Sequence, residues 1–166
     1  MCHNQNMTVQ TASVADRVCL ALQVGLGNNL VSLVLFGSRA RGDARQDSDW
    51  DFLVIAHGLS QDVFDRHISL KRLLPPDVRG TTSLLARTPT EFETAFSALY
   101  LDIATDGQIL FDSNQYIHNK LKNIQQWTTE LGYIRQHSPA GDIWLQTQNA
   151  PVQSLNWLNH FRPHAT

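Results

Sequence analysis

Apolar residues recur every four positions at Val14, Val18, Leu22 and Leu26, the spacing of one buried stripe on an α-helix. Gly27-Asn28-Asn29 ends that pattern. The next apolar run, Val31-Ser-Leu-Val-Leu-Phe36, is short, almost continuous and stops at a glycine, so it predicts a buried strand. Residues 38–48 are polar and rich in Arg, Gly and Asp, and are expected to form a loop or a single helical turn. Trp50–Ala56 then predicts a second strand, closed by His57-Gly58.

Beyond it, Ser60 is expected to cap a helix carrying Val63, Phe64, Ile68 and Leu74, which Pro75-Pro76 ends. Residues 82–86 read as a third strand. Thr88 at a cap, Pro89 at the first helical position and Glu91 three residues after the cap mark a new helix start. Phe92, Phe96, Leu99 and Ile103 supply the apolar face of that helix. After the Asp106-Gly107 turn, residues 108–111 form a fourth strand, and Asp112 or Ser113 opens a long helix with Ile117, Leu121, Ile124 and Leu131 on one stripe. Past Gly132 the chain turns polar, and Trp144, Pro151 and Trp157 punctuate an expected terminal hairpin. Strands interleaved with helices predict an α/β (α+β) domain, a mixed β-sheet flanked by helices. Residues 1–112 would be its core, and residues 113–166 a helix and hairpin extending the same domain.

Composition narrows the picture. A chain of 166 residues, 42% hydrophobic and 17% charged, supports one domain with a proper core. The formal net charge of −2 argues against a dedicated nucleic-acid binder. Cys2 and Cys19 are the only cysteines, so no disulfide framework is implied. The polar N-terminus has no signal-like apolar core, and no run approaches membrane-spanning length, which makes a cytoplasmic location the default expectation.

Chemistry concentrates between the first two strands. Asp49 and Asp51 are one residue apart at the entry to an apolar strand, so their side chains are expected on one face of the sheet. Two neighbouring carboxylates repel each other there unless a cation lies between them, and Mg²⁺ typically takes one or two carboxylates plus substrate phosphates. A solvated acidic pair at a strand start is the plain alternative. Gly37 follows a buried strand, where its lack of a side chain permits a sharp turn and close approach to a ligand. Ser38 adds a hydroxyl and a backbone N–H suited to phosphate oxygens, or to an ordinary helix cap.

Together these features are far more specific. Gly37-Ser38-x10-Asp49-x-Asp51, set between two strands, resembles the signature of the DNA polymerase β-like nucleotidyltransferases. The string Gly-Ser-Arg-Ala-Arg-Gly-Asp resembles the minimal nucleotidyltransferase (MNT) branch of bacteria and archaea. Weaker similarity runs through Thr88-Pro-Thr-Glu-Phe92 and residues 101–111. The resemblance implies a nucleotidyltransferase-like fold and transfer of a nucleoside monophosphate, AMP in the first instance, from an NTP to an acceptor hydroxyl. It implies Asp49 and Asp51 as catalytic Mg²⁺ ligands, with Gly37 and Ser38 on the β/γ-phosphates. Arg39 and Arg41 would add positive charge to the nucleotide site, or be plain surface arginines.

One part of the family pattern is missing. Active members usually carry a third carboxylate on a later strand, and the corresponding stretch, Thr81-Thr-Ser-Leu-Leu-Ala86, holds no acid. Thr82 or Ser83 takes that place, and a hydroxyl is a poor metal ligand and base. Asp77, Glu91 or Glu93 are the candidate substitutes, against readings as a turn residue and a capping-box acid. The seven histidines show no metal-ligand spacing, the tryptophans read as packing residues, and Lys120 and Lys122 as a solvated helix face. The resemblance further implies a HEPN-type protein partner and a protein acceptor, as in HEPN/MNT toxin–antitoxin pairs. A catalytically impaired NTP-binding antitoxin and a small-molecule (aminoglycoside-type) transferase are the alternatives, while a nucleic-acid acceptor and a membrane role are disfavoured.

Overall fold

The computed structural model describes residues 12–95, 97–136 and 142–147. Helix α1 (Val14–Leu26) opens on a full capping box. The Ser13 hydroxyl accepts the Asp16 N–H, and the Asp16 carboxylate accepts the Ser13 N–H. Val18 and Leu22 are buried along its inner stripe, and Gly27 ends the helix at a positive φ of 53°. Strand β1 (Leu30–Phe36) follows, then the four-residue helix α2 (Ser38–Arg41) and strand β2 (Trp50–Ala56).

Helix α3 (Val63–Leu73) departs from expectation in two ways. Its cap is Asp62, whose carboxylate accepts the Asp65 N–H, while Ser60 lies outside the first turn. Val63 and Phe64 are exposed; the buried residues are Arg66 and Leu70. A charged side chain can take a core position because it arrives with its own partner: the Arg66 guanidinium meets both Glu91 oxygens at 2.8 Å. Hydrophobicity counting cannot see that exchange.

Strand β3 (Thr82–Arg87) leads into helix α4 (Pro89–Thr94), where Thr88, Pro89 and Glu91 make the predicted capping box. The single helix expected through Ile103 is instead two, because the backbone turns extended at Ala95 before α5 (Leu99–Asp106) begins. Phe96, assigned to that helix face, lies outside the described residues, as do Cys2, Pro151, Trp157, His160 and His164. Strand β4 (Gln108–Asp112) and helix α6 (Tyr116–Glu130) are joined by a 3₁₀ turn holding two left-handed non-glycine residues, Asn114 and Gln115. Asp112 controls this junction. Its carboxylate accepts the buried Ser32 hydroxyl at 2.8 Å and two N–H groups of the first α6 turn, Ile117 and His118, at 2.9 Å each. Lys120 is not a free solvated cation, since its ammonium sits 2.9 Å from Glu93. A hairpin of β5 (Tyr133–Gln136) and β6 (Ile143–Gln146) closes the described chain.

The main sheet runs β3-β2-β1-β4. The β1/β2 and β1/β4 pairs are antiparallel, and β2/β3 is parallel through the α3 crossover. The two central strands are covered on both faces. Phe52, Val54 and Ala56 face α1 and α3, while Leu53 and Ile55 face α4, α5 and α6. Burial on both sides explains the nearly unbroken apolar runs that announced these strands.

The Arg66–Glu91 pair carries an acid-stability prediction. Arg66 and the Thr88 N–H hold the Glu91 carboxyl at about 2 against its ordinary 4.5, so its contribution is full above pH 4.5 and is lost as pH falls toward 2. Glu91 is 40% exposed against 6% for Arg66, and solvent screening brings the pair to about 1–2 kcal/mol. Glu91→Gln should lower stability by that amount at pH 7 and by much less near pH 2.5. Parallel wild-type and variant denaturation curves across that range would refute the pairing.

Candidate functional site

The site is built where β1 ends and β2 begins. Phe36 lies opposite Asp51 in the antiparallel register, so the turn after β1 is held against the first residues of β2. Gly37 makes that turn at φ 73° and ψ −157°, a conformation that L side chains resist. A Cβ at Gly37 would also stand 2.6 Å from Asp51 Oδ2. The glycine is therefore required twice, by its backbone and by the carboxylate packed against it.

The Gly37 carbonyl accepts the Ala40 and Arg41 N–H groups, and the Ser38 carbonyl accepts those of Gly42 and Asp43. The Ser38 and Arg39 N–H groups precede the first helical hydrogen bonds of α2, the position at which a helix offers donors to an outside acceptor. Gly42, left-handed at φ 83°, ends the turn. Arg39 reaches back across the loop. Its guanidinium donates to the Ser48 carbonyl at 2.8 Å and to Gln46 at 3.3 Å, and lies 4.9 Å from the Trp50 ring centroid. In this arrangement Arg39 clamps the loop. Arg41 is exposed and paired with Asp43 at 3.1 Å.

Asp51, half-buried, precedes the fully buried Phe52, and Asp49 stands exposed just before β2, close enough for its charge to act on Asp51. Partial burial and the charge of Asp49 push the Asp51 carboxyl up, and the Ser83 hydroxyl and Arg41 only partly oppose this. An acid strained in this sense, beside a second acid, is matched to a hard cation with oxygen ligands. The donors present (two carboxylates and a hydroxyl, with Gly37 alongside) fit Mg²⁺ in kind.

The β2/β3 register identifies which hydroxyl stands beside the pair. Asp51 is opposite Ser83, whereas Thr82 is buried and donates to the Val78 carbonyl. None of the three substitute acids is drawn in. Asp77 is exposed and bound to Arg17 at 2.7 Å, Glu91 to Arg66, and Glu93 to Lys120 and the Tyr116 hydroxyl. Sequence reasoning overlooked Lys71. Its ammonium bonds the Arg79 and Thr82 carbonyls at the mouth of β3, burial pushes it down, and Asp49 opposes that shift. Nothing local in Ser69-Leu-Lys-Arg-Leu73 signals this role, which depends on the α3 crossover returning to the Asp49 end of the sheet. No group of three or more His, Cys, Asp or Glu side chains suited to a metal occurs among the described residues.

Comparison with known proteins identifies the family of this chain. The family model described as polymerase beta, nucleotidyltransferase matches residues 26–116. A Methanocaldococcus jannaschii protein bearing the name of a protein adenylyltransferase is 31% identical over 117 residues, 68% of this chain and 80% of its own length. A chain from a toxin–antitoxin crystal structure with AMP-PNP superposes with a TM-score of 0.50 at 19% identity, over 70% of this chain and 90% of that one. A chain from the complex of tri-AMPylated Shewanella oneidensis HEPN toxin with MNT antitoxin covers 70% of this chain and 88% of its own, at 17% identity and TM-score 0.45.

Because the charged form of Asp51 is disfavoured in the metal-free fold, Asp51→Asn should stabilise the protein at neutral pH by about 0.5–2 kcal/mol. Gly37→Ala should cost about 1–3 kcal/mol through its strained backbone. Thermal melts in chelator read both signs, and a lowered midpoint for Asp51→Asn would contradict this account of the pair.

Proposed function

The chain belongs to the polymerase β nucleotidyltransferase family, and on that footing we propose that it transfers AMP from ATP to a hydroxyl of a protein. The observation that carries the reading is the Gly37–Asp51 contact, which joins a backbone turn suited to phosphate with a carboxylate pair suited to Mg²⁺. A divalent ion held by Asp49 and Asp51 would neutralise both carboxylates and stabilise charge on the transferring phosphoryl group. Gly37 and the Ser38 N–H and hydroxyl would hold the β/γ-phosphates, and Arg41, at the end of the same turn, would exchange Asp43 for them. Arg39 would act indirectly, by fixing the loop that carries Asp49. Catalysis of this kind rests on positioning and charge stabilisation. The acceptor oxygen would bond to the α-phosphorus as the bond to pyrophosphate breaks, so AMP stays on the acceptor, pyrophosphate leaves and the hydroxyl proton passes to solvent.

Two observations support a protein acceptor. The Methanocaldococcus jannaschii relative is named for that activity, and the Gly-Ser-Arg-Ala-Arg-Gly-Asp string resembles the MNT branch, whose partners are HEPN-type toxins. A second reading, a domain that binds NTP–Mg²⁺ and neutralises its partner by contact alone, draws on Ser83 standing where an acid would complete the site.

Labelled ATP, Mg²⁺ and a HEPN-type protein encoded beside this chain separate the two. Label should pass to the partner, and Asp49→Ala or Asp51→Ala should reduce transfer by at least about 10²-fold. A stable complex with no transfer favours contact inhibition. Ser83→Asp should lower the Mg²⁺ concentration needed for half-maximal binding or activity, because a third carboxylate joins the other two. An unchanged Mg²⁺ requirement would place Ser83 outside the metal's reach.

A further inference from the structure

Helix α2 is a single turn, too short to be stable on its own, so its position is imposed by whatever holds it. Arg39 ties it to the loop that precedes β2. A second tie comes from the other side of β1. The last carbonyls of a helix have no intrahelical partner, and Ala40 supplies one of them here. Gln108, the exposed first residue of β4, donates from Nε2 to the Ala40 carbonyl at 2.7 Å, across 68 positions of sequence.

The sheet register brings this tie to the site. Leu35 pairs with Gln108 on one side of β1, and Phe36 pairs with Asp51 on the other. The turn at Gly37 and Ser38 therefore emerges between Gln108 and Asp51, with α2 fastened in both directions. Gln108 itself stands on a firm base. At Gly107 a Cβ would lie 2.4 Å from the Ile103 carbonyl oxygen and 2.9 Å from Val34 Cγ1, so the backbone there is pressed onto α5 and β1. One residue earlier, Asp106 is held by Arg135 of the hairpin at 2.6 Å.

We propose that Gln108 is a positioning residue of the nucleotide site: through the Ala40 carbonyl it holds α2 so that the Ser38 N–H and hydroxyl face the β- and γ-phosphates. This role rests on the NTP-binding reading of Gly37 and Ser38, and it requires no contact between Gln108 and the nucleotide. Water replaces an exposed hydrogen bond at little cost to folding. Hydrogen bonds to phosphate are directional and charge-assisted, so a turn released from its place loses much of their strength. Removing the carboxamide therefore weakens nucleotide binding more than it weakens the fold, and only for nucleotides that carry the outer phosphates.

Gln108→Met keeps the length of the side chain and removes its donor. The full chain and this variant are titrated calorimetrically with ATP and with AMP in the presence of Mg²⁺. ATP affinity should fall about three- to tenfold in the variant while AMP affinity stays unchanged. The thermal midpoint without nucleotide should move by no more than about 2 °C. An equal loss for ATP and AMP would mean that Gln108 touches the nucleoside or that the whole site has loosened, and overturns the proposal. So does a thermal midpoint lowered well beyond that range. A wild-type chain that binds no ATP overturns the NTP-binding reading and this role with it, whereas ATP binding that Gln108→Met leaves intact removes the role alone.

Discussion

The antiparallel register that sets Phe36 against Asp51 is the constraint on which the rest of the site depends. It ties the end of one buried strand to the start of another, so the backbone turn at Gly37 and the carboxylates at Asp49 and Asp51 come together although eleven residues lie between Gly37 and Asp49. The register is itself enforced by burial. Leu33, Val34 and Leu35 are sealed from solvent, as are Phe52 through Ala56. A slip of one residue would send every one of these side chains to the wrong layer. The core thus fixes the geometry of a site that is itself poorly suited to an apolar protein.

That arrangement stores an electrostatic debt at Asp51, whose charge is opposed by partial burial and by Asp49. Arg41 relieves it only in part, and the other cations of this half of the fold are engaged elsewhere. Arg39 is spent on the loop carbonyls, Lys71 on the mouth of β3, Arg66 on Glu91 and Arg17 on Asp77. Each of these four holds an element of the fold in place.

Much of this was legible in the sequence, for identifiable reasons. The strands Leu30–Phe36 and Trp50–Ala56 announce themselves because burial on both faces leaves no polar alternation. The α4 start is plain because a capping box is a purely local device. Gly37, Ser38, Asp49 and Asp51 stand out because glycine, hydroxyl and paired acids at strand ends have few other uses in combination. Failures came where tertiary pairing overruled local pattern. Arg66 replaced an apolar residue in the core because Glu91 waited 25 positions away, which left Val63 and Phe64 outside. The helix through Phe92 and Ile103 broke at Ala95, where neither glycine nor proline marks the turn. The choice between Thr82 and Ser83 needed the β2/β3 register, which no single-chain pattern specifies.

The Asp112 junction has a consequence of another kind. Its carboxylate grips the sheet through Ser32 and the α6 terminus through two N–H groups, and between those grips Asn114 and Gln115 hold the left-handed conformation, which asparagine tolerates and glutamine resists. The strain exists only because the grip does. Loss of Asp112 would release part of what Asn114 and Gln115 cost, and relaxing either of them would lessen what Asp112 has to hold. Positions 112, 114 and 115 are therefore non-additive. A substitution at any one of them has to be judged against the state of the other two.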